Sequence, residues 1–173
     1  MSSYLSVSGV ITRIQPLTGV NSSQYGCTLN MSIRSLQQGE VNFTVTGDTY
    51  VVDNTTLHPG DQVTVFYDGN APAPLIYPPQ YKAVVIALSA YHQYYLGEFY
   101  NNFVSTDGTL QLNGMAAQGT FLPNGQIFSG ALVGKTALVE YTSSTRSIPA
   151  QTTPDRVIVF CYSYTQVKKI SPK

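Results

Sequence analysis

The sequence has no tryptophan, two histidines and two cysteines in 173 residues, and charged side chains make up only 10% of it. Each shortage excludes something. Two cysteines cannot make the disulfide framework of a small secreted scaffold. Cys27 and Cys161 leave three options open: buried free thiols, one bridge within the chain, or a cross-link between copies. Cys27 alternates with Tyr25, Leu29, Met31 and Ile33, so the pattern favours a thiol on the buried face of a strand. Two isolated imidazoles, His58 and His92, have no second ligand at metal-binding spacing. No nucleophile-elbow, zinc-protease, phosphate-loop or dinucleotide motif occurs. The acids Asp48, Asp53, Asp61, Asp68, Asp107 and Asp155 fall at turns, where carboxylates cap backbone donors. The sequence therefore points away from an enzyme, a metal site or a bound cofactor.

The shortage of charge also bears on partners. Nine basic and nine acidic residues cancel. Affinity for nucleic acid is dominated by phosphate contacts, and here the cations are scattered, with only Lys168 and Lys169 adjacent. Nucleic acid is thus a poor candidate. Carbohydrate stays open, through Tyr and Asn. No apolar run is long enough to cross a membrane, and the first residues do not read as a secretory signal. A chain with so little charge has little to keep its copies apart.

What is abundant is Tyr, thirteen in all, together with β-type patterning from end to end. Gly and Pro punctuate the chain, and no stretch keeps a helical period. Strands are expected at 4–14, 25–34, 40–46, 62–67 and 82–88. A second set begins at 96–105. The two sets rhyme. LHPGDQVTVFY is answered by LVGKTALVEY, DTYVVDN by GTFLPNGQ, TLNMSI by TLQLNG, and IYPPQYKAVVI by IPAQTTPDRVIV. The expectation is an internal repeat, with β domains over 1–89 and 90–173.

Within each half, a long first strand broken by Gly leads into a meander, then a Leu-x-x-Gly entry to a fourth strand, a loop and a fifth. This order resembles the OB-fold, a five-stranded Greek-key barrel. The combined pattern is also similar to uncharacterised small proteins of spore-forming Gram-positive bacteria. The fold class expected is all-β, two tandem OB-like small barrels. The resemblance itself implies no activity.

The function expected is that of a structural subunit that assembles with itself, as an extracellular or spore-surface filament, although a cytoplasmic location stays open. Strand edges template other strands, so a terminal segment, 2–7 or 163–170, could add to a neighbour's sheet. Tyr-rich faces would complete the contact. The candidate contact residues are Tyr4, Tyr91, Tyr94, Tyr95, Tyr100, Tyr162, Tyr164, Val167 and Ile170. The alternative expectation is a module binding carbohydrate or single-stranded nucleic acid on an aromatic-lined groove across the second and third strands.

Overall fold

The computed structural model describes residues 3–161. The chain is all-β and divides into two compact units, Met1–Ala90 and Tyr91–Lys173. The first unit holds β1 (Tyr4–Pro16), β2 (Leu29–Ser35), β3 (Gly39–Val45), β4 (Tyr50–Val51), β5 (Gln62–Asp68), β6 (Gln80–Lys82) and β7 (Val85–Leu88), with one 3-10 turn at Val52–Asn54. They form a single mixed sheet in the order β4-β7-β5-β1-β2-β3-β6.

Strand β1 serves two partners. Its first half pairs antiparallel with β5, from Tyr4 opposite Asp68 to Val10 opposite Gln62. Its second half pairs with β2, from Val10 opposite Arg34 to Pro16 opposite Leu29. The handover falls at Gly9. A Cβ there would lie 2.3 Å from the Arg34 carbonyl oxygen and 2.8 Å from its carbon, so only glycine lets the two backbones approach this closely. Alternate residues of the strands then point inward. Val7, Ile11, Met31, Ile33, Val41, Phe43, Val63, Val65 and Ile86 form the core. Tyr67 and Tyr81 stack at 4.0 Å between ring centroids beside Phe43.

The second unit holds β8 (Gln93–Glu98), β9 (Leu110–Leu112), β10 (Thr120–Phe121), β11 (Thr136–Tyr141), β12 (Ala150–Thr152) and β13 (Arg156–Phe160). One sheet runs β10-β13-β11-β8, and β12 pairs with β9. Phe99, Leu110, Leu112, Ala137, Val139, Val157 and Val159 form its core, with Tyr95 and Tyr141 packed against it. Each unit's proline loop contains one cis bond, Tyr77–Pro78 and Ile148–Pro149.

Two expectations need correction. The strand expected from residue 25 begins at Leu29. Ahead of it the chain turns: the Asn21 carbonyl accepts from Gln24 N and Tyr25 N, Cys27 N donates to the Gln24 carbonyl, and Gly26 has φ 90°. Asx-turn chemistry and a left-handed glycine override the apparent alternation, and Cys27 is exposed, as is Cys161. Second, TLQLNG does not occupy the place of TLNMSI. Leu110–Leu112 pairs parallel with β12, as β3 pairs parallel with β6, so it matches the third strand. Between β8 and β9, among the described residues, there are isolated bridges, Phe99 to Ser105 and Val104 to Gln111.

Replacing Gly9 with Ala should cost about 1–3 kcal/mol, because the obstructing atoms are backbone and cannot rotate away. Urea unfolding of the variant tests this, and an unchanged midpoint would mean that the close approach at Arg34 is not a constraint.

Candidate functional site

The expected contact tyrosines do not form one face. Tyr94 and Tyr95 are adjacent on β8 and point to opposite sides of the sheet. The Tyr94 hydroxyl donates to Glu140 Oε2 at 2.8 Å, and Arg156 donates to the same oxygen at 3.0 Å. The opposing charge and hydrogen bonds allow Glu140 to be buried. Tyr95 packs edge-on against Phe99 at 5.6 Å and belongs to the core of its own unit. Burial pushes its hydroxyl up to about 12. Both make internal contacts and are half-buried. Tyr91 and Tyr100 are exposed. Tyr4 is half-buried at the start of β1, opposite Asp68. Tyr162, Tyr164, Val167 and Ile170 lie outside the described residues.

What sequence reading missed is where unpaired backbone is left. β2 accompanies β1 only as far as Val10. From Tyr4 to Ser8, β1 pairs with β5 on one side and with no strand on the other, among the described residues. Segment 4–7 is therefore not loose, and Val7 is in the core. The segment is fixed in its own sheet and presents an edge. The segment expected as a donor is thus already paired within its own sheet.

The surroundings of this edge are apolar and uncharged. β3 runs parallel to β1, because both are antiparallel to β2, and β6 runs parallel to β3. The start of β1, the 35–39 hairpin and the 69–79 loop therefore share one end of the unit. Gly69 N donates to the Ser3 carbonyl at 2.8 Å, and Leu5 packs over Gly69. Leu5, Leu36, Leu75, Ile76 and Tyr77 are all exposed there, Leu36 and Leu75 fully. Residues 1–12, 35–39 and 69–81 contain no charged side chain.

The outer face of β1, β2 and β3 differs. Thr12, Arg13, Ser32, Arg34 and Glu40 line a shallow depression of ≈ 240 Å³. Ser32 donates to Asn42 Oδ1 at 2.6 Å beside it. Among the described residues no aromatic side chain lines the depression, which leaves bases or sugar rings no stacking surface of this kind there.

Other polar groups make turns. His58 N donates to Asp61 Oδ2 at 2.8 Å. Asp107 accepts from Ser105 Oγ at 2.6 Å and from Thr109 N and Oγ1 at 3.1 and 2.7 Å. Burial pushes the Asp107 carboxyl up, but these donors outweigh it and hold it below the ordinary carboxylate range. Among the described residues no group of three His, Cys, Asp or Glu could hold a metal ion, and no helix is long and apolar enough to cross a membrane.

Two outcomes follow from this geometry. Alkylation of the native protein should modify both cysteines at the rate of an unfolded control; protection of Cys27 would put it back on a buried strand. Asp107→Asn should lower the thermal midpoint at neutral pH. A carboxyl with a lowered folded pKa stabilises fully above its unfolded value, about 4, and loses that contribution as pH falls through the folded value. The gap between variant and wild type should thus close once the pH has fallen below the folded value, and a gap that persists in strong acid would assign the effect to packing instead.

No protein-family model matches the chain, and no curated protein matches it in sequence.

Proposed function

We propose that the chain is a non-enzymatic structural subunit that assembles with itself, built from two OB-like domains in tandem. The domain reading is supported by the correspondence of strand partners. In the first unit β4 lies parallel to β7, β7 antiparallel to β5 and β5 antiparallel to β1; in the second β10 lies parallel to β13, β13 antiparallel to β11 and β11 antiparallel to β8. At the first unit's proline loop the ladder changes partner within one peptide. Ala83 N donates to the Thr44 carbonyl of β3, and Val84 N donates to the Phe66 carbonyl of β5. A segment bonded first to β3 and then to β5 supports the Greek-key reading. In the second unit Asn113 N donates to the Thr152 carbonyl, and Asp155 N to the Glu140 carbonyl.

The observation that carries self-assembly is the unpaired edge of β1 from Tyr4 to Ser8, set in an apolar end without charge. Natural edge strands are usually blunted with Lys, Pro or a bulge; this one carries Leu5, Ser6 and Ser8, all exposed. The occupant proposed is segment 163–170 of another copy, which lies outside the described residues. A contact between different surfaces of two copies does not close on itself and yields a fibre. Single-stranded nucleic acid and carbohydrate fit less well, because the depression across β1–β3 offers no ring for stacking.

Deleting residues 163–173 should abolish ordered fibres in electron micrographs while the remaining chain still unfolds cooperatively. Ser6→Lys, which puts a charge on the exposed edge, should leave stability within about 0.5 kcal/mol and also suppress fibres. A truncated protein that polymerises like the full chain would overturn tail addition.

A further inference from the structure

Strand β1 carries a bulge where it meets β2. The ladder pairs Val10 with Arg34 and Ile11 with Ile33, then resumes at Arg13 with Ser32 and Ile14 with Met31, so Thr12 is an extra residue on β1. The side chains show the consequence. Ile11 is in the core and Ile14 packs against it, while Thr12 and Arg13 between them are both exposed. Strict alternation would send Arg13 inward with Ile11. The extra residue turns it outward, and bulges serve to re-aim side chains in this way. The Thr12 hydroxyl fastens the bulge by donating to the Ser32 carbonyl at 3.2 Å.

What Arg13 is turned towards is another arginine. Arg13 and Arg34 both line the depression on the outer face of β1–β3, with Thr12, Ser32 and Glu40. They are the only arginines in the first ninety residues. Like charges on neighbouring strands repel, so gathering them costs stability unless something neutralises them. Glu40 stands opposite Arg34 in the ladder. Among the described residues, however, the ion pairs of this unit are His58–Asp61 and Lys82–Asp48, and neither includes a residue of the depression. Two guanidiniums and one carboxylate thus share the space unpaired, with one positive charge in excess.

We propose that this depression is a binding site for a small hydroxy-carboxylate. One carboxylate cancels the excess charge and accepts paired N–H donors from a planar guanidinium fork. A doubly charged phosphate would overshoot and repel Glu40. The acceptors in the depression define the rest of the ligand. Ser32 is buried, and its hydroxyl hydrogen is committed to Asn42 Oδ1 at 2.6 Å. Its oxygen is left to accept, as are the oxygens of ionised Glu40. A hydroxyl beside the ligand's carboxylate supplies the donor they lack. The space, ≈ 240 Å³, is smaller than the pockets of drug-sized ligands, which start at about 300 Å³, so the ligand has few heavy atoms. Recognition of this kind uses charge and hydrogen bonds and needs no aromatic ring. It also needs no second copy, and so stands apart from the self-assembly reading.

The test is ligand-observed saturation-transfer NMR with glycolate and the full chain, which reads binding to monomer and fibre alike. Glycolate should bind saturably with a Kd on the order of 1–10 mM, as befits so small a ligand. Acetate lacks the hydroxyl and phosphate adds a charge, so each should compete for the site about fivefold more weakly than unlabelled glycolate does. Arg34→Lys keeps the charge but loses the fork and should weaken glycolate about fivefold; Arg13→Gln should weaken it about tenfold. Glu40→Gln should abolish the preference over phosphate. All three side chains are exposed, so the variants should unfold at the wild-type midpoint. No saturable transfer from wild type at about 50 mM glycolate, or unchanged affinity in folded Arg13→Gln, would overturn the site. So would equal competition by acetate and phosphate, a comparison on wild type alone, because it would leave only attraction to net charge.

Discussion

The divided pairing of β1 is the constraint on which the first unit depends. Thirteen residues run as one strand, yet its two halves bond to different neighbours, and the handover is possible because Gly9 lets the Arg34 carbonyl come within 2.3 Å of where a Cβ would stand. Pairing with β5 over the first half brings Val7 against Val65, and pairing with β2 over the second brings Ile11 against Ile33. One strand thereby ties together both sides of a single core. The same division creates the open edge. Because β2 turns back into the 35–39 hairpin soon after meeting Val10, the stretch from Tyr4 to Ser8 has no second strand partner among the described residues. The edge is thus a consequence of how the core is assembled.

Much of this was legible in sequence, and the failures share a cause. Alternation of Val63, Val65 and Tyr67 placed β5 and its inward face, because period-two apolar patterning is set by the pleat itself. Tyr67 and Tyr141, matched in sequence, each pack toward the core of their own unit. The pattern failed where local bonds outcompeted it. Tyr25 and Cys27 alternate with strand residues, but Asn21 and Gly26 close turns before the strand can begin. TLQLNG fits either of two strands equally well, and only its parallel partner, β12, distinguishes them. The tyrosine cluster misled for a simpler reason. Neighbouring residues of a strand point to opposite faces, so Tyr94 and Tyr95 were never available to one surface.

The candidate site was least legible of all, because its features are not motifs. An unpaired edge is a property of which strands stop short, and no residue pattern announces it. The polar depression brings Arg13 and Arg34 beside Glu40 from three strands, although they looked scattered along the chain. The sequence signal that could have been used was an absence: no charge in residues 1–12, 35–39 or 69–81. Those three segments meet at one end of the unit, which turns three ordinary gaps in the charge pattern into one neutral surface.

Low charge gives that neutral end its meaning. In a chain with few ions, the few that are buried are tightly bonded, as Glu140 is with Arg156 and Tyr94. Ions are retained where a fixed geometry holds them and are missing from the end that presents Leu5, Leu36, Leu75, Ile76 and Tyr77. A soluble monomer gains nothing from such an end, since exposed aliphatic clusters without charges promote unwanted association. The same holds for Phe103, exposed and with φ 64° in the left-handed region, where asparagine would suit the backbone better and water equally well. Under the self-assembly proposed above, these two departures from what stability and solubility favour, one in each unit and apolar in both cases, would each be a surface that a second copy covers.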